Sequence, residues 1–166
     1  GPIDMEKFNK SKYPHNVLEK MICQYVENRR NELCEKGVAT KKGLTELLNT
    51  LNENKIVKVV GTSTPKPIAK KLLKSVGIEK EFSIIVSATD VKNGKPAPDI
   101  FLLAAKEIGL TPRDCIGIED AKAGIAAIIA SGAQPIGVGR SEDLGEDIPI
   151  VPDTASLTFD YLKKTW

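Results

Sequence analysis

The amino-acid sequence predicts an α/β protein in which a parallel sheet carries helices on both faces. From residue 56 onward, short apolar runs alternate with amphipathic segments, and these segments stop at Gly77, Gly109 and Gly132. This alternation is typical of parallel sheets, because each crossover helix returns the chain to the same end of the sheet. Ligands bind such sheets at the carboxyl ends of the strands, so functional motifs are expected directly after each strand.

The predicted elements follow one another along the chain. Strands are expected at 56–60, 82–86, 115–118, 134–138 and 148–151, and helices at 68–76, 98–108, 121–130 and 157–164. Glycine directly after a helical run favours a helix stop there, since glycine adopts the left-handed conformation without steric cost.

The residues before this alternation have a different pattern. Residues 1–14 are polar and irregular, with Gly1-Pro2 typical of an expression-tag remnant, and His15 is predicted to be solvated beside them. Apolar residues at helical spacing then predict two helices. The first carries Leu18, Met21, Ile22, Tyr25 and Val26 and ends before Gly37, and the second carries Leu44, Leu47, Leu48 and Leu51.

Composition excludes several classes of function. Lys and Arg total 24 against 22 Asp and Glu, and a net charge of +2 does not favour a nucleic-acid partner. No apolar run approaches the roughly 20 residues needed to span a bilayer, so no membrane partner is expected. Cys23, Cys34 and Cys115 lack metal-ligand spacing. They are expected to be reduced thiols of a cytoplasmic protein.

A hydroxyl-rich turn follows the first predicted strand of the alternation. It reads Gly61-Thr62-Ser63-Thr64-Pro65. Hydroxyls and backbone amides where a strand meets a helix can bind phosphate, and the helix N-terminus adds partial positive charge. Serine and threonine are also the ordinary N-cap residues of helices, so this motif alone is ambiguous.

Two further motifs follow the next two strands. Lys95 lies in Asn93-Gly94-Lys95-Pro96-Ala97-Pro98, where two prolines restrict the backbone, although most lysines are simply solvated. Glu119-Asp120 precedes a helix and suits Mg²⁺, which carboxylates, water and substrate phosphate usually hold. The same pair could be an ordinary acidic cap. Together, the three motifs predict a crevice for phosphoryl transfer, since that reaction needs mainly positioning and charge stabilisation.

These motifs resemble those of the haloacid dehalogenase superfamily. GTST at 61–64, GKPAPDIF at 94–101 and GIEDAKAG at 117–124 are similar to its second, third and fourth signature motifs, and residues 132–154 resemble its β-phosphoglucomutase-like branch. The resemblance implies a Rossmann-like core over residues 54–166. It also implies that residues 15–53 are the end of a helical cap and its return to the core.

The resemblance also implies roles for individual residues. Thr62, with Ser63 and Thr64, would bind phosphate, and Lys95 would stabilise the transferring phosphoryl group. Glu119 and Asp120 would hold Mg²⁺. Arg30 is the nearest match to a cap residue that reaches the phosphate of the substrate. The expected activity is Mg²⁺-dependent phosphoryl transfer on a sugar phosphate or another small phosphate ester, by a mutase or a phosphatase.

One departure from the family pattern sets a second expectation. Family members open with a central strand that ends in Asp-x-Asp, whose first aspartate is the nucleophile, and no Asp-x-Asp occurs in this sequence. The sheet is therefore expected to lack its first strand, with the gap closed, filled by another chain, or filled by a segment outside the sequence. The chain is expected to be an incomplete, inactive portion of an enzyme. The alternatives are a non-catalytic paralogue that retains the phosphate and Mg²⁺ sites and an interaction fragment.

Overall fold

Six strands form one sheet that is parallel throughout. The structure is a computed structural model, and it describes the backbone of residues 15–18 and, in more detail, residues 41–145 and 147–166. The strands are β1 His15–Leu18, β2 Lys58–Thr62, β3 Ile84–Ser87, β4 Cys115–Glu119, β5 Gln134–Val138 and β6 Ile150–Val151. Their order in space is β3-β2-β1-β4-β5-β6. This is the doubly wound order of Rossmann-like folds, so the α/β prediction is confirmed.

Helices connect these strands on both faces of the sheet. They are α1 Lys41–Glu53, α2 Lys66–Ser75, α3 Asp99–Glu107, α4 Lys122–Ser131, α5 Ser141–Leu144 and α6 Phe159–Thr165, with short 3₁₀ turns at Glu79–Glu81, Ala88–Asp90, Pro112–Asp114 and Thr154–Ser156. The strands and helices predicted after residue 56 all occur, with bounds that differ by at most two residues. The short helix α5 has no counterpart in the sequence prediction.

The centre of the sheet corrects the expectation of a missing strand. Residues 15–18 pair in parallel with β2 on one side and with β4 on the other, in the position predicted to be empty. His15 therefore lies in a central strand and not in a polar lead-in, and Leu18 ends that strand and does not begin a helix. The physical reason is that β2 and β4 would otherwise face each other with unpaired backbone groups, each costing about 1–3 kcal/mol.

The boundary between cap and core also needs correction. Helix α1 buries its four leucines against the sheet and against α6, so it belongs to the core although it precedes residue 54. Residues 19–40 lie outside the described part of the chain, as do most residues of the first predicted helix. Their assignment to a helical cap stays a prediction.

Apolar side chains fill the space on each side of the sheet. Helices α1, α2 and α6 pack on one face around Leu48, Leu73 and Leu162, and helices α3 and α4 pack on the other around Phe101 and Ile128. Helix α4 approaches β4 closely, because a Cβ atom at Gly117 would lie 2.7 Å from the Ile128 side chain. This close approach fixes α4 over the strand that ends at Glu119. In the part of the chain that the structure describes, no helix is long and apolar enough to cross a membrane.

The central position of β1 can be tested by removing a backbone donor. Val17 pairs with Val59 and with Gly117, so Val17→Pro should weaken the middle of the sheet. We expect the free energy of unfolding to fall by about 3 kcal/mol, measured by urea denaturation. Val17→Ala keeps the backbone amide and is the control. Equal stability of the two variants would show that residue 17 is not in a central strand.

Candidate functional site

The carboxyl ends of β2, β3 and β4 present buried polar side chains at one edge of the sheet. Thr62, Ser87 and Glu119 are the last residues of these strands, and each is at most 1% exposed. Thr62 and Ser87 are direct register partners, whereas β1 separates β2 from β4. This edge includes the topological switch point, where doubly wound sheets bind ligands.

The hydroxyl-rich turn after β2 is not a set of ordinary helix caps. Pro65 occupies the cap position of α2, and no side chain caps the helix. The Thr62 hydroxyl instead accepts a hydrogen bond from the Thr64 amide at 3.0 Å, which fixes the turn locally. Pro65 and Pro67 have no backbone N–H, so the first turn of α2 has fewer donors for an anion than a proline-free helix start. Binding of a phosphate at this turn would therefore depend more on side-chain donors than on backbone N–H groups.

Lys95 reaches the switch point from the loop before α3. Its Nζ lies 3.2 Å from the Gly61 carbonyl oxygen on β2 and 3.2 Å from Glu119 Oε2 on β4. Because β1 lies between β2 and β4, the ammonium group sits beyond the carboxyl end of β1. The Phe101 ring adds a cation–π contact, with its centroid 4.9 Å from Nζ.

The loop that carries Lys95 is held by its own hydrogen bonds. Asp99, at the start of α3, accepts hydrogen bonds from the Asn93 amide at 3.1 Å and from Asn93 Nδ2 at 3.2 Å. The Ala97 amide also donates to the Gly94 carbonyl oxygen at 3.0 Å. The loop is therefore closed on both sides of Lys95, which directs the side chain inward.

Burial changes the acidity of Lys95. The side chain is 5% exposed, and loss of water lowers the pKa of its ammonium group to about 8. Glu119, through its charge and hydrogen bond, and Asp120, through its charge, oppose this shift and raise the pKa. The lysine is thus a cation at neutral pH that is close to its titration range.

Glu119 is held by three donors and by a matching space in α4. Its Oε1 accepts hydrogen bonds from the amides of Asp120 and Ala121 at 3.0 and 3.1 Å, and its Oε2 accepts from Lys95. A Cβ atom at Gly124 would lie 1.9 Å from Oε2. The glycine therefore provides the volume that the carboxylate occupies.

The adjacent carboxylates fit a magnesium ion by their chemistry. Mg²⁺ prefers oxygen ligands and commonly takes one or two carboxylates together with water and substrate phosphate. Asp120 is half-buried, its Oδ1 is shielded from solvent, and Glu119 lies beside it in sequence. Among the described residues, no three His, Cys, Asp or Glu side chains cluster, so these residues do not build a closed metal cage. Helix α4 is capped at Ala121 without a side-chain hydrogen bond, so the pair is not a simple acidic cap.

The structure brings together most of the residues predicted for the site. Lys95 joins the turn that contains Thr62 to Glu119, while Ser63 and Thr64 lie in that same turn and Asp120 follows Glu119. Arg30 lies outside the described residues. The sequence prediction did not single out Gly124 or Phe101, although both lie inside the quoted motifs. The spacing from Glu119, at the end of β4, to Gly124, in the first turn of α4, was the signal available for the glycine.

The fold and the site together define a doubly wound α/β protein with cationic and acidic side chains at its switch point. Residues 5–132 match the profile of the haloacid dehalogenase-like hydrolase family, and the chain belongs to this family. The predicted family resemblance is thereby confirmed.

Individual relatives refine this comparison. The chain is similar to β-phosphoglucomutase of Bacillus subtilis, with 40% identity over 75% of this chain and 54% of the relative. Hexitol phosphatase A of Escherichia coli is 36% identical over 64% of this chain and 49% of its own length. The crystal structure of β-phosphoglucomutase from Clostridium difficile aligns with a TM-score of 0.70 and 36% identity, covering 74% of this chain and 54% of that one. The chain thus spans about half the length of the relatives it matches.

The space at Gly124 gives a test of the site geometry. Gly124→Ala would normally stabilise an interior helix position by about 1 kcal/mol. Here the new methyl group would overlap the Glu119 carboxylate, so we expect a loss of about 1–3 kcal/mol in the free energy of unfolding. Gly94→Ala is the control, because no atom lies within 4 Å of a Cβ there. An increase in stability for Gly124→Ala would contradict the described placement of Glu119.

Proposed function

We propose that this site serves Mg²⁺-dependent phosphoryl transfer on sugar phosphates, in a mutase or a phosphatase. The observation that carries the proposal is the position of the Lys95 ammonium, which joins β2 to the carboxylate of β4 beyond the end of β1. A buried cation at a strand-end crevice can stabilise the negative charge of a phosphoryl group in transfer. The names of β-phosphoglucomutase and hexitol phosphatase A support a sugar phosphate as the substrate class.

Each residue of the site has a distinct proposed task. The Thr62 turn would hold the phosphoryl oxygens, with Ser63 and Thr64 as additional polar groups. Lys95 would balance the charge of those oxygens. It is already desolvated, so its interaction with an anion would be stronger than that of a lysine in water. Glu119 would orient Lys95 through their ion pair.

Asp120, with Glu119, would hold the magnesium ion. A bound Mg²⁺ would neutralise part of the phosphate charge and orient the substrate. The backbone amides of Asp120 and Ala121 hold the Glu119 carboxylate, so this possible ligand has a defined position before the ion binds. Asp120 is the next residue after Glu119, so both carboxylates lie at the carboxyl end of β4.

A second candidate function is binding of phosphate and Mg²⁺ without turnover. The sequence contains no Asp-x-Asp, and covalent phosphoryl transfer needs a positioned carboxylate nucleophile in addition to groups that stabilise charge. This observation favours an inactive 166-residue chain, while the family and the site favour an enzyme.

Binding and turnover should be measured on the same preparation. We expect Asp120→Asn to weaken Mg²⁺ binding about tenfold or more, and Lys95→Met to weaken binding of inorganic phosphate by a similar factor. Isothermal titration calorimetry gives both affinities. Lys71→Met removes an exposed lysine from α2 and is the charge-matched control. Turnover of β-glucose 1-phosphate and of a generic phosphate ester is measured in parallel, and only the second candidate predicts that it stays at background.

The possible results separate the two candidates. Binding with turnover supports the enzyme in this chain itself, whereas binding without turnover supports the second candidate. Loss of phosphate affinity in Lys95→Met but not in Lys71→Met would support the site. Failure of the unmodified chain to bind either ligand would contradict both proposals.

A further inference from the structure

Lys66 and Asp90 form an ion pair beside the candidate phosphate turn. Lys66 is the first residue of α2, and its Nζ lies 2.9 Å from Asp90 Oδ2 in the 3₁₀ turn after β3. The turn that contains Thr62 runs from the end of β2 to Lys66. The ion pair therefore joins the far end of that turn to the neighbouring strand.

Asp90 is held independently of the lysine. Its Oδ2 accepts hydrogen bonds from the Ser87 amide at 2.9 Å and from the Ser87 hydroxyl at 3.4 Å, and the two residues form a reciprocal capping box. The pKa of the Asp90 carboxyl is lowered, first by the Ser87 amide and then by Lys66. Asp90 is thus a fixed, negatively charged anchor at neutral pH, and the more exposed Lys66 contacts it from α2.

The register of the sheet places this anchor next to the turn. Ser87 is the direct partner of Thr62 on β2. Both ends of the segment from Thr62 to Lys66 are consequently held relative to β3, one by strand pairing and the other by the ion pair. Between them, the Thr64 amide bonds back to the Thr62 hydroxyl, so a shift of α2 would displace this hydrogen bond as well.

We propose that the Lys66–Asp90 pair is a positioning device that sets the phosphate affinity of the Thr62 turn. This inference rests on the proposed function, because it concerns the same phosphate. The pair contributes little to global stability, since Lys66 is 46% and Asp90 31% exposed and solvent screens their attraction. Its effect lies in the placement of Thr62 and Thr64. These side chains matter for phosphate binding because the first turn of α2 offers few backbone N–H donors next to Pro65 and Pro67.

The experiment is a double-mutant cycle on binding of inorganic phosphate in the presence of Mg²⁺. Lys66→Met and Asp90→Asn should each weaken phosphate binding by about three- to tenfold, and the double variant should be no weaker than either single variant. Asp90→Asn retains an oxygen for the Ser87 hydrogen bonds, so it removes charge and not shape. Lys66→Arg should restore most of the affinity, because it preserves the pair.

A matched control lies on the same helix. Lys70 pairs with Glu79 at 3.6 Å, so Lys70→Met removes an ion pair and an equal charge from α2 without touching the turn. The amide resonance of Thr64 in ¹⁵N-edited spectra reports the turn directly. We expect it to move in Lys66→Met and Asp90→Asn and to stay unchanged in Lys70→Met.

The outcomes distinguish this inference from the proposed function. Loss of affinity in Lys66→Met with normal affinity in Asp90→Asn would show direct phosphate contact by the lysine and overturn the positioning role. Normal affinity in both variants, in a chain that binds phosphate through Lys95, would overturn the inference alone. A chain that binds no phosphate would overturn the proposed function and this inference with it.

Discussion

The buried ion pair between Lys95 and Glu119 is the interaction on which the site depends. Removing two charges from water is costly, and their attraction offsets that cost only when further polar partners are present. Here the Gly61 carbonyl oxygen accepts from the ammonium, and two backbone amides donate to the carboxylate. The pair therefore joins β2, the loop before α3 and β4 at one point, and the polar groups of the site are arranged around that point.

The space for this pair is a property of the packing around it. Gly124 leaves the volume that the Glu119 carboxylate fills, and Gly117 lets α4 lie directly on β4. The Phe101 ring gives Lys95 an aromatic face to contact. Larger residues at these glycines would force α4 away from the strand. Helix α4 thus packs in the core of the α3–α4 face and also borders the functional edge of the sheet, so its position affects both.

Much of the fold follows from local sequence signals. Apolar strands such as 115–118 and helices that stop at Gly109 or Gly132 repeat often enough to define a parallel sheet. The motifs after those strands are close together because parallel strands end at one edge. The strand His15–Leu18 escaped prediction because four residues cannot establish a period of two, and Leu18 also fits the helical spacing of the residues that follow. Its pairing depends on β2 and β4, which are distant in sequence.

The fine geometry of the site was less accessible to sequence reasoning. Lys95 could be assigned to the crevice from its motif, but its contact with the Gly61 carbonyl oxygen depends on the course of a loop. The Lys66–Asp90 pair links residues that no motif connects. Such contacts are decided by side-chain packing and by the register of neighbouring strands, and a single sequence records neither. Membership of the haloacid dehalogenase-like hydrolase family is consistent with the fold and with the geometry of the site.

The titration of Lys95 tests the central claim most directly. Burial lowers its pKa from 10.5 to about 8 in the folded protein, so the unfolded chain holds this proton more tightly. The lysine therefore makes the free energy of unfolding rise with pH between about 8 and 10.5. The measurement is the pH dependence of the Lys95 Cε and Nζ chemical shifts in metal-free protein, with Glu119→Gln as the comparison. The account predicts a midpoint near 8, and a lower one in Glu119→Gln because the carboxylate raises the pKa. A midpoint near 10.5 in both proteins would contradict the buried ion pair.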